Sequence, residues 1–148
     1  MFFSVKSWEL RVEFVFLNLN QNYMEQNTVK FKSKTFAKNI IFLYQRILAE
    51  KREYVLSKQL LRCGTSIGAN LAETEYAISI SDFLSKVYIS LKEASETIFW
   101  LDLLHETGYI CMNDYTKLKK DCEEIKRMLS ATTKTITTKL NTHKKTNN

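Results

Sequence analysis

The chain has 148 residues, no proline, three glycines, 45% apolar residues and a formal net charge of +6. That length holds one domain with a core of its own but not two, and so few helix breakers point to long uninterrupted helices. The positive charge favours anionic partners, nucleic acid before a membrane surface. In chain order, residues 1–23 fit least well. Trp8, Leu10, Val12, Phe14 and Phe16 alternate with Glu9, Arg11 and Glu13, a strand-like period of two. No later segment offers a partner strand, and a strand alone is not stable. Two readings remain open: an upstream extension outside the fold, or an arm that packs on the bundle or a neighbour. The domain is expected to span residues 32–140, with 1–31 as an N-terminal extension.

The first helix is expected over residues 33–50, with a stripe of Phe36, Ile40, Leu43, Tyr44 and Ile47 and a cap from Ser33 or Thr35. Lys51, Arg52 and Glu53 make the turn into a helical hairpin. Its first arm, 54–77, buries Leu56, Leu60, Cys63, Ile67 and Leu71 and continues through Thr74. Its second arm, 80–106, buries Leu84, Val87, Leu91, Ala94, Ile98, Leu101 and Leu104. A second stripe of Phe83, Tyr88, Phe99 and Trp100 broadens that arc, and a helix apolar on two sides is deeply buried or carries an interface. Ser79 with Asp82 three residues on reads as a capping box, and Gly108 as the stop. Tyr109 and Ile110 form an apolar plug. The last helix, 114–140, is capped by Asn113 and runs a heptad-like seam through Tyr115, Leu118, Cys122, Ile125, Leu129, Thr132, Ile136 and Leu140. A basic, disordered tail, 141–148, follows. Four stripes with short joints make an all-α, up-down-up-down antiparallel four-helix bundle.

The wording of the hairpin is specific: Gln59-Leu60, Arg62, Ser66-Ile67, Ala69-Asn70, Ala72-Glu73, then Glu93, Ser95-Glu96, Trp100-Leu101 and Glu106. In these residues the chain resembles the four-helix-bundle proteins encoded in intervening sequences of bacterial 23S rRNA genes, which are related to the accessory variability determinant of diversity-generating retroelements. The likeness covers residues 36–140. It implies a homopentameric assembly with a basic surface, and ribosomal RNA or a reverse transcriptase with its RNA as partners. Thr74 stands where many members carry Gly.

The chemistry-bearing residues are sparse. Cys63, Cys111 and Cys122 are odd in number and lack a C-x-x-C spacing, so they read as thiols of a reducing cytoplasm. His105 and His143 lie far apart, which argues against a metal and leaves no obvious general base. There is no Glu-x-x-His pair, no P-loop and no cofactor motif. The longest early apolar run, Phe14 to Leu17, falls far short of the roughly 20 residues a bilayer needs, and Glu9, Arg11 and Glu13 before it spoil a signal peptide. Arg62, Ser66, Asn70, Glu73, Glu93 and Glu96 form a candidate polar network across the hairpin, expected to fix register or make a subunit contact, with a ligand site as the alternative.

No acidic residue follows Glu124, whereas Lys126, Arg127, Lys134, Lys139, Lys144 and Lys145 do. With Lys117 and Lys120, and with Lys119 beside them, the last helix presents a basic flank. Lys117, Lys120, Lys126, Arg127, Lys134 and Lys139 are the candidate nucleic-acid contacts, of the phosphate-neutralising kind. The aromatic residues fall on core stripes, so no base-stacking platform is expected. The expected function is a non-enzymatic oligomeric scaffold that binds structured RNA or a nucleic-acid–protein complex. The alternative is a protein-interaction module whose charge serves solubility.

Overall fold

The computed structural model describes the backbone of residues 28–146 and the side chains of residues 28–138 and Asn141. The readings of residues 1–27 therefore lie outside the described residues, as do those of the Lys139 side chain and of 147–148. The elements are α1 (Val29–Lys51), α2 (Leu56–Glu73), a 3-10 turn (Thr74–Tyr76), α3 (Ile80–Glu106) and α4 (Met112–Thr146). Each helix packs on two neighbours, α1 on α2, α2 on α3, α3 on α4 and α4 on α1, the last seam being the thinnest. The arrangement is the expected antiparallel four-helix bundle, and the described residues contain no strand.

The boundaries differ from expectation, each for a local reason. α1 begins at Val29 rather than residue 33, because the Thr28 hydroxyl accepts from the Phe31 amide at 3.2 Å and caps the helix. Ser33, an expected cap, is instead buried and donates to the Lys30 carbonyl at 3.0 Å. Residues 29–31, assigned to an extension, belong to the first helix. α1 stops where Arg52 takes the left-handed conformation, φ 51°. Glu53 then folds over the next helix, its carboxylate accepting from the amides of Val55 (2.9 Å), Leu56 (2.8 Å) and Ser57 (2.7 Å). Three of the donors that open a helix are satisfied at once.

α2 ends at Glu73, so the expected α-helix through Thr74 does not form. The buried Thr74 hydroxyl donates to the Leu71 carbonyl at 2.6 Å, and the last turn tightens to 3-10 before Ala77 turns extended. Ser79 caps α3 as expected, accepting from the Asp82 amide at 3.0 Å, while Asp82 accepts from Ile78 at 3.1 Å. Gly108, φ 81°, closes α3: its amide bonds to the His105 carbonyl and that of Tyr109 to the Leu104 carbonyl, a Schellman stop. Ile110 plugs this end of the core, 3% exposed.

α4 is capped by Cys111 rather than Asn113: the Cys111 carbonyl accepts from Tyr115 (3.0 Å) and its thiol faces Asp114 Oδ2 (3.2 Å). The helix also runs on to Thr146, past the expected end at 140, so residues 141–146 are helical where a disordered tail was expected. Threonine is a modest helix former, yet here the hydroxyls bond back along the helix. Thr132, Thr135 and Thr138 donate to the carbonyls four residues earlier, and Thr133 to that of Ser130.

The core holds Phe36, Ile40, Leu43 and Ile47 of α1, Leu60, Cys63, Ile67 and Leu71 of α2, Val87, Ala94, Leu101 and Leu104 of α3, and Leu118, Cys122, Ile125 and Leu129 of α4. Leu84, Leu91 and Ile98, expected in it, are half-buried, and the α4 seam passes through Thr133 rather than Thr132. Tyr88 and Phe99 do not widen the buried arc: they point outward, 45% and 56% exposed.

Substitutions in the core and at the Glu53 cap test these assignments. Ile67 is fully buried, so Ile67→Asp strands a carboxylate without a partner at a cost of several kcal/mol and abolishes the cooperative thermal transition. Leu91→Asp, whose carboxylate can reach water, costs less and keeps the transition. Equal melting of the two variants would contradict the core assignment. At the cap, desolvation raises the Glu53 pKa, but the hydrogen bonds from Ser57, Leu56 and Val55 together outweigh this and hold it below the ordinary value. A depressed folded-state pKa stabilises above the unfolded value, about 4.3, and that stabilisation is lost as pH falls through the folded one. Glu53→Ala should cost about 1 kcal/mol at pH 7, and melts should show the gap to wild type closing in that acid window. A gap that stays constant down to pH ~2 would mean the carboxylate charge plays no part.

Candidate nucleic-acid interface

α4 distributes its charges by helical phase. Leu118, Cys122, Ile125, Leu129 and Thr133 face the core, so residues spaced by seven on the opposite side, Lys120, Arg127 and Lys134, share one outward face. All three are exposed. Lys126 lies a quarter-turn round toward α3 and is half-buried. Lys126, Arg127 and Lys134 line one open groove of ≈ 620 Å³ with Ile98, Lys119, Glu123, Ser130 and Ala131. Lys117 is exposed but sits on the α1 side of the helix, with Asp114 and Glu124, which pair with Arg46 and Lys32 at 2.8 Å each. The structure thus gathers three of the six predicted cations in the groove, sets Lys120 beside them and puts Lys117 apart; Lys139 lies outside the described side chains.

The gathered cations differ in availability. Lys119 is taken: it donates to Asp102 Oδ1 (2.8 Å) and the Tyr115 hydroxyl (2.9 Å), which also donates to Asp102 (2.9 Å). The hydrogen bond to Asp102 is the main cause of a Lys119 pKa pushed well above the ordinary lysine value. Lys120, Lys126, Arg127 and Lys134 make no ion pair among the described residues. Among the described residues, Glu123 is the one carboxylate on the groove wall. The result is a shallow electropositive surface with exposed Nζ and guanidinium groups, suited to phosphates spaced along a backbone. Sequence reasoning missed the Asp102–Tyr115–Lys119 clamp. Its signal was Tyr115 and Lys119 one turn apart opposite an acid on the preceding helix.

The six residues of the expected polar network resolve into three local groups. Arg62 donates to Glu93 Oε2 (3.4 Å) and to Glu96, and Trp100 Nε1 also donates to Glu96 (3.2 Å). The bond from Arg62 is the leading cause that holds the Glu96 carboxyl below its usual range. Asn70 donates only within α2, to the Ser66 carbonyl (2.9 Å) and hydroxyl (3.0 Å). Glu73 pairs with Lys86 of α3, a partner the sequence pattern did not suggest. Ion pairs thus pin the α2–α3 hairpin near its turn and again midway along α3, and the Ser66–Asn70 pair stays apart from either.

Other reactive groups are occupied. Burial raises the Cys63 thiol to about 11 and the Cys122 thiol to about 12, so neither is nucleophilic near neutral pH. His105 stacks on Tyr115, ring centroids 4.2 Å apart, and its Nδ1 donates to the Ile110 carbonyl at 2.9 Å. Among the described residues no three His, Cys, Asp or Glu side chains converge as metal ligands. No described helix is long and apolar enough to cross a membrane.

Arg62 is half-exposed, which keeps the value of its pairs small. Arg62→Ala should remain fully helical and lose about 0.2–1 kcal/mol, read as a fall in Tm of a few degrees. A loss beyond about 3 kcal/mol would mean that the pair behaves as a buried one.

A family model described as 23S rRNA-intervening sequence protein matches residues 25–131, a span that includes most of all four helices. Among solved structures, the chain is similar to the crystal structure of a protein of unknown function from the S23 ribosomal protein family of Bacteroides thetaiotaomicron VPI-5482. The two are 48% identical over 72% of this chain and 99% of that chain, with a TM-score of 0.71. No curated protein matches. With every helix of the bundle inside or overlapping the matched span, the chain belongs to the 23S rRNA-intervening sequence protein family.

Proposed function

We propose that this protein is a non-enzymatic helical scaffold that assembles with copies of itself and binds structured RNA, alone or within a nucleic-acid–protein complex, through the outer face of α4. The observation that carries this reading is the cluster of Lys126, Arg127 and Lys134 on one groove, without an ion pair among the described residues, with Lys120 alongside. Unneutralised cations held this close repel one another, and a polyanion relieves that repulsion while releasing its own counterions. The absence of an oriented nucleophile and base among the described residues supports a binding role. Assembly is supported by the outward Tyr88 and Phe99 of α3; a pentamer and a reverse transcriptase as partner rest on the family resemblance alone, and a cytoplasmic setting on the cysteine pattern. A second reading, a protein-interaction module without RNA, draws on the same α3 face.

Replacing Lys126, Arg127 and Lys134 with Gln separates the two. Helix propensity hardly changes, so the bundle stays folded. Affinity for unrelated structured RNAs should fall by similar factors, and the slope of log affinity against log salt should flatten by about 0.7–0.9 for each phosphate that is no longer neutralised. Equal affinity and equal slope in wild type and variant would favour the protein-interaction reading.

A further inference from the structure

The outward face of α1 carries a feature that the sequence pattern hides. Phe31 and Phe42 are 41% and 56% exposed. They stand eleven residues apart, three turns and about 20° of phase, so both rings leave the same side of the helix roughly 16 Å from one another along its axis. Between them lie Lys38, in line with the rings, and Lys34, about 60–80° round toward α2, both exposed. These lysines are one turn apart, repel each other and make no ion pair among the described residues. Their neighbours Lys30 and Lys32, by contrast, are held by Glu75 (2.9 Å) and Glu124 (2.8 Å). No acidic residue occurs from residue 29 to residue 49.

We propose that this stripe, Phe31–Lys34–Lys38–Phe42, binds an unpaired stretch of RNA, with bases stacked on the two rings and phosphates bridging the two lysines. The inference rests on the RNA-binding reading of α4 and adds a strand-state preference that α4 lacks. Exposed rings can stack only on bases whose faces are free, so a duplex cannot use them, whereas every unpaired base can. At the 3.4 Å rise of a stacked strand, 16 Å corresponds to about five nucleotides, within the usual span of roughly 4–16 for single-strand sites. Charge argues against a second copy of the chain as the occupant. A two-fold contact would bring Lys34 and Lys38 onto their own equivalents, and the outward α3 face would bring exposed Lys92, which sits between Tyr88 and Phe99.

The test uses the full chain, an unstructured 12-nucleotide RNA and a 12-base-pair RNA duplex, both fluorescently labelled, with anisotropy read over a salt series. Phe31→Ala/Phe42→Ala should weaken binding of the unpaired RNA by at least about five-fold per ring. It should leave the salt slope and the duplex affinity unchanged. Lys34→Gln/Lys38→Gln should lower the slope for the unpaired RNA by about 0.7 for each phosphate released. Sedimentation of each variant gives its assembly mass. Wild-type affinity in the Phe variant overturns the proposal, as does an altered assembly mass, which would make this face a contact between copies. If wild type binds structured RNA but not the unpaired strand, the proposal falls and the α4 reading stands. If it binds neither, both fall.

Discussion

The bundle depends on how closely α2 lies between its two neighbours. On one side Gly64 carries no side chain, and a Cβ there would sit 3.0 Å from Ile40 Cγ1 and 3.1 Å from Cγ2. The gap lets α1 come in against α2. On the other side the buried Ser90 hydroxyl donates to the Ile67 carbonyl at 3.0 Å, deep between α2 and α3. A one-residue slip of α3 would leave that hydroxyl unpaired in a dry core. The Cys122 thiol makes a similar reach to the Ala94 carbonyl at 3.4 Å, joining α4 to α3. Among the described residues every buried side-chain nitrogen and oxygen has a partner. Small and polar side chains therefore set the register that the leucines and isoleucines fill.

That register decides what reaches the surface. With α1 and α3 on opposite corners of the square, their outward faces look away from each other, one basic and aromatic, the other mostly apolar and hydroxylic. α4 turns its carboxylates Asp114 and Glu124 toward α1, where Arg46 and Lys32 neutralise them. Apart from Lys117, which stays exposed on the α1 side, its described cations are left to the outer face and to the α3 side. The asymmetry thus arises from which charges the packing consumes as well as from the excess of lysine in the sequence.

The apolar periodicity made the fold legible: Phe36, Ile40, Leu43 and Ile47, or Leu118, Cys122, Ile125 and Leu129, leave little choice but a helix with one buried side. The ends were less legible because several caps come from side chains whose role depends on a neighbour's geometry. Glu53 caps a helix from three residues before its start, and Thr28 wins over Ser33 because Ser33 is drawn into the core. The threonines of α4 read as weak helix formers, and the hydroxyl bonds along the helix were not anticipated. At the candidate site, sequence supplied the cations but not their pairing. Lys117 and Lys126 look alike along the chain, and only the helical phase separates them. The expectation that aromatic residues all face the core failed for Phe31, Phe42, Tyr88 and Phe99. A helix stripe tells which residues are buried, but a ring off the stripe is exposed however apolar it is.

Ultraviolet crosslinking of the bound protein to RNA, followed by mass mapping of the crosslinked peptides, tests the placement of RNA on this bundle most directly. The account predicts crosslinks in α4 between residues 119 and 134 and in α1 between residues 31 and 42. Crosslinks confined to the outward face of α3, around Tyr88 and Phe99, or none above a no-protein background, would contradict it.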